Sequence, residues 1–374
     1  MASSFNKTKV DFTKEFMFFG QQPNVARFDV QRFDIFKKLF EKQLGFFWKP
    51  DEIDLSKDGR DFKTLPPNEQ HIFIKNLLFQ SLLDSVQSRA PALALIPHVS
   101  LPELESMITL WTAFETLHSF SYQWIVEGVF SDATSVFDGI LDDTNILNRA
   151  DAVSKYYDDF MEYSGWFKVL GAGKHTVNGK TIVLTERELK RLLLLCIASI
   201  NVLEGVRFYA SFACSFAFAE RGLMEGNAKV ISLIARDENL HLAVTQNILK
   251  KWANGEDDPV MEELWHENQE TITKMYEDCV EQEKEWSTYL FKHGPMLGLT
   301  EDILNEYTSY IAGKRMRAIG LKHHFPSKNP LGWTDKYLNG ADNQVAPQEA
   351  EISNYVVGGV SHDIDVGDFT SLDF

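Results

Sequence analysis

The sequence predicts an all-α fold: a helical bundle with extra flanking helices and one small β-hairpin. Three observations predict it. Apolar residues recur three and four apart over most of the chain before about residue 340, the period of helices with one buried face. Prolines and capping residues stand where those stretches begin, at Pro66-Pro67, Ser100-Leu-Pro-Glu103, Thr185-Glu-Arg-Glu188 and Pro259. The one good β signal is Lys174 to Val183, where Asn178-Gly179 separates alternating β-formers as a two-residue hairpin turn does.

Residues 1–30 read as an extended arm with an apolar patch, Phe16-Met-Phe-Phe19. A first helix over 31–46 sets Phe33, Phe36, Leu39, Phe40 and Leu44 on one face and ends near Gly45. Trp48 follows; on its own it reads as core filler. Residues 51–64 read as a polar connection. The next helix, 68–89, carries Ile72, Phe73, Leu77, Leu78, Leu82 and Leu83, with Asp84 inside the apolar run. An unpaired carboxylate there would be costly to bury, so Asp84 needs a partner.

Ser100 to Glu103 reads as a capping box opening a helix that runs to about Gly128. Residues 131–165 are mixed, with Asp/Asn-rich turns near 138–145 and a helix over about 146–162. After the hairpin, Thr185 opens a long helix to Phe218. Asn227 is expected to cap the next, which runs to about Trp252. Pro259 starts another, and Thr300 caps a last substantial helix ending before Gly320. One domain over 1–340 is expected. The remainder, 341–374, holds seven acidic residues and no Lys or Arg, with Tyr355, Phe369, Leu372 and Phe374 scattered through it. That composition predicts a flexible acidic tail. It reads either as a plain solubilising terminus or, from its apolar end, as a peptide that docks on a partner, the reading the apolar residues favour.

Chemistry enters through spacing. Glu115 and His118 lie three apart, on one helical face, with Tyr122 one turn further on. A carboxylate and an imidazole so placed can share one metal ion. Two further Glu-x-x-His pairs occur, Glu238/His241 and Glu263/His266. A single such pair is weak evidence. Asp84, however, precedes Glu115 by 31 residues, and Glu204 precedes Glu238 by 34, so carboxylate then Glu-x-x-His occurs twice at nearly equal spacing. Ferritin-like dimetal carboxylate bundles use one Glu from each of two helices and a Glu-x-x-His from each of the other two. The chain matches, with Asp84 in place of one Glu. Glu263/His266 has no such upstream carboxylate and reads as solvated surface.

Four carboxylates and two imidazoles suit iron or manganese rather than a thiolate-rich zinc site. Phe208 and Phe212 follow Glu204 by one and two turns, and Ile234 precedes Glu238 by one. They would make a dry pocket beside Tyr122, though they read equally well as ordinary core.

The balance of 37 basic to 54 acidic residues gives a formal charge of −17, which argues against nucleic acid or an anionic membrane as a partner. Cys196, Cys214 and Cys279 are far apart and read as reduced thiols of a cytoplasmic protein. Neither a signal-peptide pattern nor about 18 uninterrupted apolar residues is seen, so no membrane span is expected.

Almost end to end, the chain resembles the small, radical-generating subunit of class I ribonucleotide reductase. The resemblance is carried by Asp84, Trp111-x-x-x-Glu115-x-x-His118-x-x-x-Tyr122, Glu204-x-x-x-Phe208-x-x-x-Phe212, Ile234-Ala-Arg-Asp237-Glu238-x-x-His241, Trp48 in its Phe-Phe-Trp setting, and the tyrosine-bearing tail. It implies that Asp84, Glu115, His118, Glu204, Glu238 and His241 bind two iron ions, with manganese fitting the same ligands. O₂ would then oxidise Tyr122 to a stable radical. The radical would pass through Trp48, hydrogen-bonded to Asp237, and Tyr355 to a cysteine of a separate large subunit, where ribonucleoside diphosphates are reduced. The resemblance further implies a homodimer, a tail that docks on the large subunit, and Trp111 as a residue orienting a ligand. Two other readings fit the same bundle: a di-iron oxygenase or desaturase with its own substrate, and iron storage or a purely structural role.

Overall fold

A computed structural model describes residues 5–338. The expected tail, 341–374 with Tyr355, lies outside the described residues. In chain order the helices are α1 (Asp34–Leu44), α2 (Ser56–Thr64), α3 (Pro67–Gln87), α4 (Ala90–Ala94), α5 (Pro102–Val129), α6 (Ala133–Asp142) and α7 (Thr144–Leu170). The hairpin β1 (Gly173–Val177) and β2 (Lys180–Leu184) comes next. It is followed by α8 (Glu186–Val202), a π-helical turn Leu203–Arg207 leading into α9 (Phe208–Ala219), and α10 (Glu225–Ala253). Last come α11 (Pro259–Leu290), α12 (Glu301–Ala318) and the short α13 (Asp335–Leu338). The fold is the all-α bundle with one hairpin that the sequence predicts.

A continuous apolar core runs between these helices. Helix α3 packs on α5 and α7, α8 on α7, α10 and α11, and α9 on α10. The apolar stretch Glu186–Ala219 is long enough to cross a bilayer, but 89% of its most apolar window is buried inside the protein. It is a core element. All three cysteines are buried and free. At the hairpin, Asn178 and Gly179 take φ of 49° and 77°, the left-handed pair that a two-residue turn requires.

Several local expectations are corrected. Residues 51–64 are not a plain connection: α2 forms there, and its buried Asp58 accepts from the backbone N–H groups of Gly226 and Asn227. Asn227 therefore does not cap α10. Its own N–H is capped from another helix, and the cap position is Met224, at φ 52°. Ser100 and Glu103 form no capping box either. Ser100 Oγ accepts from Gly20 N–H at 2.7 Å, and Glu103 accepts from Arg32 and Phe33 N–H at 3.0 and 3.1 Å, so both hold the N-terminal arm. Residues 131–165 are mostly helix: α6 is capped by Asp132, and α7, capped by Asp143, runs on to Leu170. Thr185 and Thr300 cap α8 and α12 as expected.

The arm is pinned at His98, whose carbonyl accepts from Phe19 N–H at 2.8 Å and whose ring packs on Phe19 and Phe160. Burial, helped by Lys168, pushes His98 from 6.5 down to about 4. Between those values the unfolded chain binds a proton that folded His98 refuses, so stability falls as pH drops from 6.5 towards 4. His98→Gln is expected to remove roughly 2 kcal/mol of that acid sensitivity, read from urea unfolding at pH 7 and pH 5.

Candidate metal centre

Four elements aim their polar side chains at one point. Asp84 comes from the last turn of α3, Glu115 and His118 from the middle of α5, Glu204 from the π turn between α8 and α9, and Glu238 and His241 from α10. All six are wholly buried. Each Glu-x-x-His pair shares a face because it lies on an unbroken helix.

The ligand atoms fall into two adjoining sets. Those of Asp84, Glu115, His118 and Glu238 lie within 4.8 Å of one another, as do those of Glu115, Glu204, Glu238 and His241. Glu115 and Glu238 belong to both, as bridging carboxylates would. Both Asp84 oxygens, Glu115 Oε2, Glu204 Oε2, Glu238 Oε1 and His118 Nδ1 have no hydrogen-bond partner. Six buried lone-pair atoms left without donors are costly in a protein interior. A shared cation would satisfy them, and the donor set is oxygen with imidazole nitrogen. The residues fit a pair of hard or borderline metal ions.

Without a cation the cluster settles its charge by sharing protons. Burial, with Glu115 beside it, raises Asp84 well above the usual carboxylate range. Burial and the charges of Glu238 and Glu115 do the same to Glu204. Burial and Glu115 push Glu238 up to about 8. Burial would raise Glu115 too, but His241 and His118 hold it at about 2. His118 is held well above its ordinary value: burial opposes its charge, and the Asp237, Glu115 and Glu238 carboxylates around the ring outweigh burial. Metal ions compete with protons at such a site.

The surrounding groups fix the ligands. His118 Nε2–H donates to Asp237 Oδ2 at 3.1 Å, which leaves Nδ1 as the nitrogen that could hold a metal. Trp48 Nε1–H donates to the same Asp237 oxygen at 2.9 Å. Trp111 Nε1–H donates to Glu115 Oε1 at 2.7 Å, and its ring stacks on His241. Gln43 Nε2 lies 2.7 Å from His241 Nε2, while Gln43 Oε1 has no partner. Turning that amide over lets His241 Nε2–H donate to Oε1 and frees Nδ1 for a metal.

Tyr122 is wholly buried, with its hydroxyl beside the Asp84 carboxylate. Burial, together with the neighbouring Asp84 charge, raises its phenol well above the ordinary value. Phe208, Phe212 and Ile234 are wholly buried, with the two rings stacked at 5.6 Å. Glu263 pairs with Arg187 on the surface, as its isolated motif predicts.

Sequence reasoning missed three polar residues. Gln43 follows Phe36 and Leu39 on the buried face of α1, and Gln87 lies one turn past Asp84 on α3. Tyr157, on α7, is hydrogen-bonded to Gln87. The available signal was an amide on an apolar face in register with a ligand.

Comparison with known proteins agrees with this geometry. The family described as ribonucleotide reductase, small chain, matches residues 28–330. The chain is 50% identical over 371 residues, 99% of both chains, to ribonucleoside-diphosphate reductase 1 subunit beta of Salmonella typhimurium. It is 38% identical to the subunit beta of Enterobacteria phage T4, across 98% of this chain and 97% of that one. Among solved structures, a ribonucleotide reductase R2 subunit from Clostridium botulinum matches with a TM-score of 0.76 and 27% identity, covering 90% of this chain and 98% of that one.

Proposed function

Because the chain belongs to the ribonucleotide reductase small-chain family, we propose that its six buried ligands hold two iron ions and that Tyr122 stores the resulting oxidising equivalent as a radical. The chain is a beta-type subunit of ribonucleoside-diphosphate reductase, an oxidoreductase that works with a large subunit. The observation that carries the metal reading is the set of partnerless ligand atoms shared between two adjoining groups.

Reduced iron supplied with O₂ provides a one-electron oxidant for a nearby phenol. The chain's own residues do the rest. Tyr122 gives up an electron and its hydroxyl proton, and the Asp84 carboxylate beside it is placed to take that proton. Phe208, Phe212 and Ile234 keep water and reductants from the oxidised ring. Asp237 joins the ligand His118 to Trp48 through two hydrogen bonds on one oxygen, so the oxidising equivalent leaves toward the surface through Trp48 while an electron moves inward to the Tyr122 ring. Tyr355 in the tail would continue the path and the tail's end would dock on the large subunit. The described residues are read as one domain ahead of that tail.

The direct test is reconstitution. The full chain with its large subunit should reduce a ribonucleoside diphosphate, and either subunit alone should not. Turnover of an organic substrate by the isolated chain would favour the oxygenase reading instead. Trp48→Phe should leave Tyr122 radical yield nearly intact but lower turnover by roughly 100-fold or more, separating storage from transfer.

The dimer expected of this family would use the α1–α5 face. Leu44 at the end of α1, Phe47 in the loop after it and Phe120 on α5 are large apolar side chains left exposed. A groove of about 380 Å³ between the same elements is lined by Phe40, Ile96, Leu110 and Ala113 together with the polar Glu105, Ser106 and Thr109. Exposed apolar area in one stripe is the mark of a surface that another chain covers. Ala113→Arg should convert the dimer to monomer in sedimentation velocity.

A further inference from the structure

Glu204 is the one proposed ligand that does not sit on a regular helix. The π turn Leu203–Arg207 carries it, a single-turn bulge of the kind found frequently at functional sites. The backbone is held from outside, where Arg315 Nε donates to the Gly205 carbonyl at 3.2 Å. A methyl group at Gly205 would stand 3.0 Å from side chains of both Arg315 and Leu242, so these neighbours pack directly on the turn.

The Glu204 carboxylate has its own external support. Gln87 Nε2–H donates to Glu204 Oε1, and Tyr157 Oη–H donates to Gln87 Oε1 at 2.9 Å. All three side chains are buried. The chain is directional. By occupying the amide oxygen, Tyr157 turns the Gln87 amide nitrogen towards Glu204; the reversed amide would set oxygen against carboxylate oxygen. Glu204 is left with one free oxygen, Oε2, and it belongs to only one of the two ligand sets.

We infer that Tyr157 and Gln87 are positioning residues that fix Glu204 to offer a single oxygen, making the two metal subsites unequal. The inference rests on the reading that the six ligands hold two metal ions. Outer hydrogen-bond partners of metal ligands typically contribute 10- to 100-fold in affinity.

The test is a manganese(II) titration of the metal-free full-length chain, with free ion counted by electron paramagnetic resonance. Wild type should take up about two ions per chain. Tyr157→Phe should weaken one binding step roughly tenfold, and Gln87→Leu roughly 100-fold, leaving the other step nearly unchanged. Tyr289→Phe is the control. It removes a tyrosine hydroxyl that donates to Asp143, the cap of α7, without touching Gln87. If both Tyr157→Phe and Gln87→Leu fill as wild type does, the inference is overturned. Equal weakening in Tyr289→Phe would overturn it too, by reducing the effect to a loosened α7. Failure of wild type to bind two ions would instead sink the metal-site reading, and this inference with it.

Discussion

Tyr122→Phe is expected to lower ribonucleoside diphosphate reduction by roughly 10³-fold or more, while metal uptake and stability stay near wild type. The structure explains why the two effects separate. The Tyr122 ring is wholly buried, so phenylalanine fills the same space. Its hydroxyl lies beside the Asp84 carboxylate, so at most one hydrogen bond is lost and the change in stability should be about 1 kcal/mol or less. What is lost is the only atom of that side chain able to give up a proton with an electron. Activity with the large subunit, metal content and thermal unfolding of the same preparation check the three parts. An active Tyr122→Phe enzyme would move the stored oxidant elsewhere.

Glu238→Gln is expected to cut metal uptake from about two ions per chain to below one, with affinity down more than roughly 100-fold. Glu238 belongs to both ligand sets, so its loss damages both. An amide keeps the shape but removes a negative charge and points N–H groups where lone pairs now converge. The metal-free protein should barely notice. Burial and Glu115 push Glu238 up to about 8, so at pH 7 its carboxyl is mostly protonated without metal, and glutamine resembles that form. Stability of the metal-free variant at pH 7 is expected within about 1 kcal/mol of wild type. Elemental analysis after dialysis, with urea unfolding of the metal-free chains, measures both.

Much of the centre was legible in the sequence because helices turn spacing into geometry. Glu115 with His118, and Glu238 with His241, needed only an unbroken helix to share a face, and both lie on one. Asp84 and Glu204 were legible as carboxylates inside apolar runs. The less legible features depend on contacts between distant segments. Glu103 looked like a helix cap because its local motif fits one, yet its carboxylate accepts from Arg32 and Phe33 on the arm. Asn227 looked like a cap for the same reason, but Asp58 of α2 does that work. The π turn under Glu204 has no sequence signature of its own. The roles of Gln43, Gln87 and Tyr157 appear only when α1, α3 and α7 are brought against the ligands. Local rules place residues on faces, and tertiary packing decides which polar groups those faces meet.

The central claim is that a buried dimetal centre oxidises Tyr122. Its most direct measurement is electron paramagnetic resonance on the metal-free protein given ferrous iron and then O₂, beside Tyr122→Phe treated alike. The account predicts a tyrosyl radical signal in wild type and none in the variant. Wild type that binds about two irons per chain, consumes O₂ and shows no such radical would contradict it.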